Sequence, residues 1–426
     1  MKHLRHSSTG ARQQRGAAAL VVTTLLFFVM VLVTLFVNRN LVFEQRASAN
    51  QYRATQAFEA AEAGAEWALA QLNDPQRIGP DCLPTGDASA TSFRSRYLSS
   101  NSAAFAARTW INAGLATTLQ PTCVRSASGW NCSCPTNGAP TLSAPEGDGP
   151  FPAFSVQFAA GDKPGTLRVL ATGCTSLAGV CLAGSTSNVD ATARIDVTVG
   201  LLAGLRTPPS AALTTRGNID ADGAAFGAHN ADPATGLALH AGTGIAASNA
   251  RLTTAAGAPL ASAQQSHDAG LAALSTDRLF ASYFGLDKAR WKSQPAVQRI
   301  VCGSDCAAAI ADAAAATDGS ALVWIDGDLV LDGPVTVGSA LQPVVIVVDG
   351  TARLRGAVAL HGVLYSAALT WNDTAAPGAV LRGAALSETT YTGNGAPDLV
   401  YDSGVLATLA TRSGSFARIN GGWRDF

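Results

Sequence analysis

The chain has 426 residues, of which 47% are hydrophobic and 14% are charged, and this composition suffices for buried cores in two or three domains. An intrinsically disordered chain is therefore excluded. Lys and Arg number 29 against 30 Asp and Glu, so the formal net charge is -1 and no nucleic acid partner is expected. The 42 glycines follow no Gly-X-Y period, which indicates a turn-rich β protein and excludes collagen.

An uncharged apolar segment follows a basic N-terminus. The first 16 residues contain four Lys or Arg and no acidic residue, and Ala17–Val37 contains no charge. As a helix, these 21 residues extend about 31 Å, enough for the hydrocarbon core of a bilayer. The basic residues predict a single membrane span with a cytoplasmic N-terminus and an exported C-terminal part. A cleaved signal peptide is disfavoured because its apolar core is shorter, whereas a generic signal anchor stays open.

The helix is predicted to continue beyond the apolar segment. Between Asn38 and Asn73 there is no proline, and Pro75 then ends the helical pattern. Apolar residues recur here at spacings of three and four, the period of one buried helix face. They are Ala54, Phe58, Ala61, Ala65, Ala68 and Leu72. We therefore expect one helix over residues 17–73, roughly 85 Å long, with its membrane span at 17–37.

Two stretches of this helix resemble one protein family. They are Arg15-Gly16-Ala17-Ala18-Ala19-Leu20-Val21-Val22 and Ala57-Phe58-Glu59-Ala60-Ala61-Glu62-Ala63-Gly64. Both are similar to the type IV pilus assembly protein PilX and related minor pilins. The resemblance implies that residues 1–16 are a leader, that a prepilin peptidase cuts after Gly16, and that Ala17 is the first mature residue. It further implies a structural subunit that passes from the inner membrane into an extracellular pilus, with other pilins and a tip adhesin as partners.

The sequence departs from the major pilins of this family at two positions. Ala17 replaces the usual Phe, and Val21 stands at mature position five, where major pilins carry a Glu. That Glu neutralises the terminal amine of a neighbouring subunit in an apolar environment, where an unpaired charge is costly. Its absence favours a minor subunit that promotes assembly or occupies the tip. A K-type pseudopilin of a type II secretion system, and a pilin-anchored adhesin or glycan-binding module, are the alternatives.

The exported part is predicted to contain two domains in an α+β protein. Residues 74–205 form an antiparallel pilin-like head, with strands at Phe154–Ala159, Thr166–Thr172 and Thr192–Leu201 and a short helix around Ser102–Ala113. The segment Arg206-Thr207-Pro208-Pro209-Ser210 is the expected boundary because its prolines interrupt regular structure.

An internal repeat follows in residues 206–426. Ile325-Asp326-Gly327 recurs as Val348-Asp349-Gly350, and a second motif beginning at Gly333 recurs at Gly356; both pairs are 23 residues apart. This period predicts a parallel β-solenoid whose coils stack on one another. An ordinary antiparallel sheet with glycine turns is the alternative. A helical insertion is expected at about 262–317, including an Ala-rich helix.

All eight cysteines follow the apolar segment, on the exported side. Their even number in an oxidising compartment predicts disulfides. They are Cys82, Cys123, Cys132, Cys134, Cys174, Cys181, Cys302 and Cys306. Cys174 with Cys181 and Cys302 with Cys306 are the expected local pairs, and the other four pair among themselves. A zinc site is disfavoured because no Cys-x-x-Cys occurs.

The remaining polar and aromatic residues predict no enzyme, no cofactor and no metal site. The exported histidines, His229, His240, His267 and His361, have no metal-ligand spacing. Three aspartates share a strand-like stretch, where calcium ligation is the alternative to turn formation at glycines. They are Asp326, Asp328 and Asp332. Four aromatic residues near the C-terminus belong either to the core or to a contact surface: Trp371, Tyr391, Tyr401 and Trp423.

Overall fold

The structure, a computed structural model, describes residues 14–101, 104–147, 151–177, 181, 191–222, 225–303, 306–317, 321–372 and 378–425. Most of the predicted leader, residues 1–13, therefore lies outside the described residues. The chain divides into two units at Gln56 and Ala57. The first contains the apolar part of the N-terminal helix, and the second, Ala57–Phe426, contains every strand that the structure describes.

The N-terminal helix, α1, runs from Gln14 to Asn73 over 60 residues. It ends just before Pro75, because proline cannot continue a helix. Most of the predicted apolar face is buried in the second unit, whereas Ala54 is exposed. The buried members are Ala61, Ala65, Ala68 and Leu72. The expectation of one long apolar helix followed by β structure is thus confirmed.

Antiparallel pairing organises the head. Its strands are β1 Leu98–Asn101, β2 Ala104–Ala107, β3 Thr109–Asn112, β4 Leu115–Thr118, β5 Thr122–Ser126, β6 Gly129–Ser133, β7 Ala153–Ala160, β8 Thr166–Cys174 and β9 Thr192–Ala203. Another strand, β26 (Gly414–Asp425), joins them in a six-stranded sheet of order β26-β9-β8-β7-β5-β6. The buried face of α1 packs in one core with residues of this sheet, including Phe154, Val169 and Val197.

The short helix expected around residues 102–113 is wrong. The structure has a five-residue helix, α2, earlier in the chain at Phe93–Tyr97, capped by the Ser92 side chain. Two hairpins follow it, β1 with β2 and β3 with β4. The second hairpin turns at Ala113 and Gly114, whose φ angles of 48° and 83° are typical of a tight hairpin turn and interrupt a helix. Residues 102 and 103 lie outside the described part.

The following region is a parallel β-solenoid, as the repeat predicts. Its strands are β10 Ala211–Thr215, β11 Ile219–Asp220, β12 Gly227–His229, β13 Leu237–Ala241, β14 Ile245–Ala246, β15 Arg251–Thr253, β16 Gln264–Gln265, β17 Val297–Val301, β18 Leu322–Asp326, β19 Leu329–Asp332, β20 Val335–Val337, β21 Val344–Arg355, β22 Val358–Asn372, β23 Val380–Ser387, β24 Tyr391–Gly393 and β25 Asp398–Tyr401. All their described ladders are parallel and form three rows. The rows are β17-β18-β21-β22-β23-β10-β13-β16, β19-β21-β22-β24-β11-β14 and β20-β22-β23-β25-β12-β15.

The sequence repeats stack on one another at the predicted register. Ile325 pairs with Val348 in neighbouring strands, and Val335 pairs with Val358. Gly383 of the next strand, β23, stacks on Gly362 of β22 in the same way. Gly362 has a φ of 146°, and a Cβ there would lie 1.9 Å from the Val344 carbonyl oxygen, so glycine is required at this corner.

The coils do not stack in chain order. β23, near the end of the solenoid, pairs with β10 at its beginning, in register from Leu213 with Ala385. The two coils that come first in the sequence therefore lie at one end of the stack. They follow, in space, the coil that comes last in the sequence. The chain reaches the other end through the predicted helical insertion, and then winds back toward its own start.

The insertion is partly helical. It contains a 3₁₀ turn Leu260–Ala263, α3 Ala269–Ala272, α4 Thr276–Phe284, α5 Lys288–Lys292 and α6 Ala307–Ala316. Two strands also lie within the expected helical insertion of about 262–317. They are β16, which pairs with β13, and β17, which pairs with β18, and each is an end strand of the same row. Phe280, Phe284 and Trp291 of the insertion pack on the outer side of that row, against Val347 and Tyr365. This sheet is consequently buried on both faces, which explains its continuous apolar runs.

The chain ends in the head and not in the solenoid. After the last coil come α7, Ser403–Arg412, and then β26, which pairs with β9. The structure thus differs from the predicted domain of residues 206–426, since its final strand completes the sheet of residues 74–205. A sequence repeat cannot indicate this return, because β26 belongs to no repeat and finds its partner about two hundred residues earlier.

Candidate assembly helix and its supports

The apolar part of α1 presents its side chains outward in its own unit. From Ala17 to Val37 all residues except the partly exposed Val31 are exposed. The hydroxyls of the three threonines in this stretch donate hydrogen bonds to carbonyl oxygens of the same helix. Thr24 Oγ1, for example, donates to the Leu20 carbonyl oxygen at 2.6 Å. Their polar groups therefore need no water. By length and composition the helix contains a segment able to cross a membrane.

The predicted processing residues lie at the start of this segment. Gly16 and Ala17 are exposed, and a Cβ at Gly16 would meet no atom within 4 Å. Val21 is 58% exposed. These side-chain positions are therefore not covered by other residues that the structure describes.

The C-terminal part of α1 comes unusually close to the head sheet. Gly173 of β8 faces Ala57 and Ala61, and a Cβ at Gly173 would lie 2.0 Å from the Ala57 carbonyl oxygen. Gly64 of the helix faces Phe154 of β7, where a Cβ would lie 2.9 Å from the ring. Small residues on both sides permit this approach, so the family-like stretch 57–64 also forms the helix–sheet interface.

A buried side chain joins the end of α1 to the C-terminal strand. Asn73 donates from Nδ2 to the Phe416 carbonyl at 2.9 Å and accepts the Phe416 N–H at 2.6 Å. Glu66 of α1 forms an ion pair with Arg418 of the same strand, and that guanidinium lies 5.2 Å from the Trp423 ring centre. The last strand therefore supports the helix directly, a role that no sequence motif indicates.

Arg94 connects α2 to the same C-terminal region. Its guanidinium donates to the carbonyls of Gly414, at 2.8 Å, and of Arg412. The rings of Phe105 and Phe416 lie 5.3 and 4.7 Å from it. Burial lowers the pKa of Arg94 to about 10, so the group still carries its charge at neutral pH. Sequence reasoning missed this residue, since an isolated arginine gives no signal of burial.

Four disulfides join all eight cysteines. They are Cys82–Cys134, Cys123–Cys132, Cys174–Cys181 and Cys302–Cys306. The last two are the local pairs that the sequence spacing favours, and the other four cysteines pair among themselves. Cys123 and Cys132 face each other across β5 and β6. Three of the disulfides therefore link segments within the head, and the fourth, Cys302–Cys306, lies beside α6.

We expect all eight cysteines to be oxidised in the exported protein. Alkylation with iodoacetamide under denaturing, non-reducing conditions should label fewer than about one thiol per chain, because each described sulfur has a disulfide partner. The same protein reduced beforehand should take up eight labels. Substantial labelling without reduction would contradict the pairing and indicate free thiols.

The three aspartates considered as calcium ligands each face a cation. Asp326 pairs with Lys292 and with Arg299, which hold the pKa of its carboxyl well below its usual range. Asp328 and Asp332 pair with arginines of the neighbouring coil, Arg353 and Arg355. Within the described ranges, no group of three or more His, Cys, Asp or Glu could hold a metal ion. These carboxylates therefore link coils.

The four histidines of the second unit named in the sequence analysis are dispersed. His229 contacts Asp398 at 3.1 Å and His240 contacts Asp268 at 2.8 Å. His267 has a φ of 57° in a turn. His361 lies on β22, where burial and the nearby Arg382 lower the pKa of its imidazole. The structure brings none of them together as a catalytic group.

The C-terminal aromatic residues mostly form core. Trp371 and Tyr391 are fully buried inside the solenoid. Tyr401 and Trp423 are half-buried and pack against cores of the solenoid and head respectively. An exposed aromatic contact surface built from these four residues is therefore not present.

The described chain combines a long helix, apolar in its first part, with β-rich domains, and by length and composition this helix is able to cross a membrane. Residues 15–66 match the family described as PilX N-terminal, which confirms the resemblance drawn from the sequence. No curated protein matches the chain. The competence-associated pilin ComZ from Thermus thermophilus is a solved structure that aligns at 10% identity, over 88% of this chain and 98% of its own, with a TM-score of 0.20. At that score the likeness carries no argument.

The family match supports a type IV pilin-like structural subunit with an N-terminal apolar helix. It falls on residues 15–66, which include the junction at Gly16, the apolar segment and the stretch that packs on the head. The match ends before the head and the solenoid begin, so it says nothing of these two parts.

Proposed function

We propose that this chain is a minor pilin of a type IV pilus, a structural subunit that promotes assembly or sits at the tip. The observation that carries the proposal is the PilX N-terminal match over residues 15–66 on an exposed helix without charge from Ala17 to Val37. The action of such a subunit is packing and not catalysis. Its helix exchanges lipid contacts for contacts with other pilin helices, while the disulfide-bonded part stays outside the filament core.

Before assembly, the chain is proposed to span the inner membrane once, with its N-terminus in the cytoplasm. The basic leader and the uncharged segment support this orientation. A prepilin peptidase would cut after Gly16, leaving Ala17 as the mature terminus. The partners are then other pilins, reached through α1, and a tip adhesin.

Mass spectrometry of sheared filaments tests the proposal. We expect this chain in the filament fraction, at a small ratio to the major pilin and with Ala17 at its N-terminus. The same fraction from cells that lack the major pilin should not contain it. Absence of the chain from filaments, together with a secretion defect on its deletion, would instead indicate the K-type pseudopilin alternative.

Gly16→Glu is expected to block processing. The residue lies at the border between the basic leader and the apolar helix, and a large acidic side chain there would obstruct the peptidase. The uncleaved precursor should accumulate in the inner membrane, visible as a heavier band and by intact mass. Gly10→Glu makes the same change inside the leader and should leave cleavage unchanged. A normally processed Gly16→Glu chain would contradict the assignment.

The burial of two aromatic residues weakens the alternative that this chain is a pilin-anchored adhesin. That alternative depends on aromatic residues along an extended solenoid face, yet Trp371 and Tyr391 are core residues. We therefore do not favour a glycan-binding role for these residues.

A further inference from the structure

A cleft of about 300 Å³ opens where the head, the solenoid and α7 meet. Arg94 and Phe105 line it from the head, Leu341 from the solenoid and Arg412 from the end of α7. Its volume lies at the lower end of the range of small-ligand sites. Neither the resemblance to pilins nor the packing of α1 gives this cleft a role.

The cleft collects positive charge. Arg94 and Arg412 line it, and no Asp or Glu is among the described residues that form it. Arg94 is buried and charged, and its described polar partners are backbone carbonyls. Within the described part of the chain, the half-buried Arg412 guanidinium makes no hydrogen bond or ion pair, and its Nε is buried without a partner. A partly buried charge without a counter-charge is unfavourable, so the site favours an anion.

The walls indicate what kind of anion fits. Leu341 is 82% exposed at the rim, and Phe105 contributes an apolar surface inside. A guanidinium presents a planar fork of N–H donors that matches a carboxylate. Apolar surface beside such a fork suits a carboxylate carried by an apolar chain better than it suits an inorganic anion.

We propose that this cleft binds a carboxylate of a peptide segment from a neighbouring protein subunit, either an acidic side chain or a chain terminus. Arg412 is the main contact, because its donors are not used within the described structure. The proposal rests on the proposed function in one respect, namely that the chain has subunit neighbours. Binding itself is a property of the purified chain and is measured without filaments.

The test uses the purified full chain in detergent micelles, with N-acetyl-leucyl-glutamate as the probe. Titration calorimetry should detect binding of this dipeptide, and its neutral diamide should not bind. Arg412→Gln should weaken binding at least about tenfold, since it removes the charge and the fork. Arg290→Gln makes the same change at an exposed arginine of α5 outside the cleft, and should stay within about twofold of the unmodified chain.

Other outcomes would overturn the proposal. Equal loss in both variants would indicate a general charge effect, and absence of binding up to about 20 mM dipeptide would exclude the site. Inorganic phosphate binding that requires Arg412, without peptide binding, would indicate a small-anion site only. Failure in any of these ways would leave the filament experiment unaffected.

Discussion

Gly173→Ala is expected to lower the free energy of unfolding by about 3 kcal/mol. The new Cβ would lie 2.0 Å from the Ala57 carbonyl oxygen and 2.3 Å from the Ala61 nitrogen. Both are backbone atoms of α1, which cannot rotate away as a side chain can. The helix must therefore move off β8, and that movement loosens the packing of Ala61 and Ala65 against the sheet.

Urea unfolding of the full chain in micelles, followed by tryptophan fluorescence, measures this effect. Trp67 of α1 packs against Phe154 in the same core, so its emission should report the loosening. Gly86→Ala is the matched control, because a Cβ at Gly86 would meet no atom within 4 Å. Its unfolding midpoint should move little. Equal midpoints for the two variants would show that helix and sheet are not held this closely.

The effect bears on function because the same helix contributes residues to both units. Its first part is proposed to enter the filament, and its second part holds the head through Gly173, Asn73 and Glu66. A loosened helix would still carry the processing site at Gly16. We therefore expect Gly173→Ala to be processed normally and yet to reach filaments poorly.

The sequence predicted those features that depend on local pattern. The helix could be predicted because an uncharged apolar run leads without a proline into a face of period three to four. The solenoid could be predicted because stacked coils require similar residues at similar positions, as at Ile325 and Val348. The local disulfides could be predicted because two cysteines separated by a short loop come together easily.

Features that depend on long-range pairing could not be predicted. The stacking of β23 on β10 joins Leu213 to Ala385, and the pairing of β26 with β9 joins Phe416 to Leu201. Neither pair shares a repeat or a motif, so a single sequence gives no sign of it. The buried polar contacts could not be predicted for a related reason. Arg94 is stabilised by carbonyls and rings from distant segments, and those contacts exist only after folding.

The absence of a carboxylate at Val21 should decide where the subunit lies in a filament. A subunit that enters below an existing one places mature position five near the terminal amine of its neighbour. Without a carboxylate, that amine stays unpaired in an apolar environment, at a cost of at least several kcal/mol. A subunit that starts the filament avoids this cost, because no earlier subunit lies above it. Val21 is therefore expected to confine the chain to the tip.

Val21→Glu is accordingly expected to spread the subunit along the shaft. Gold-labelled antibody against the solenoid, residues 211–401, should mark filament ends in cells with the unmodified chain and the whole shaft in cells with the variant. Val22→Glu places the same carboxylate about 100° away around the helix and should not restore internal incorporation. Deleting the protein should reduce the number of pili more than their length, since starting is the impaired step. Uniform shaft labelling of the unmodified chain, with normal pilus numbers in the deletion, would show that position five does not determine placement.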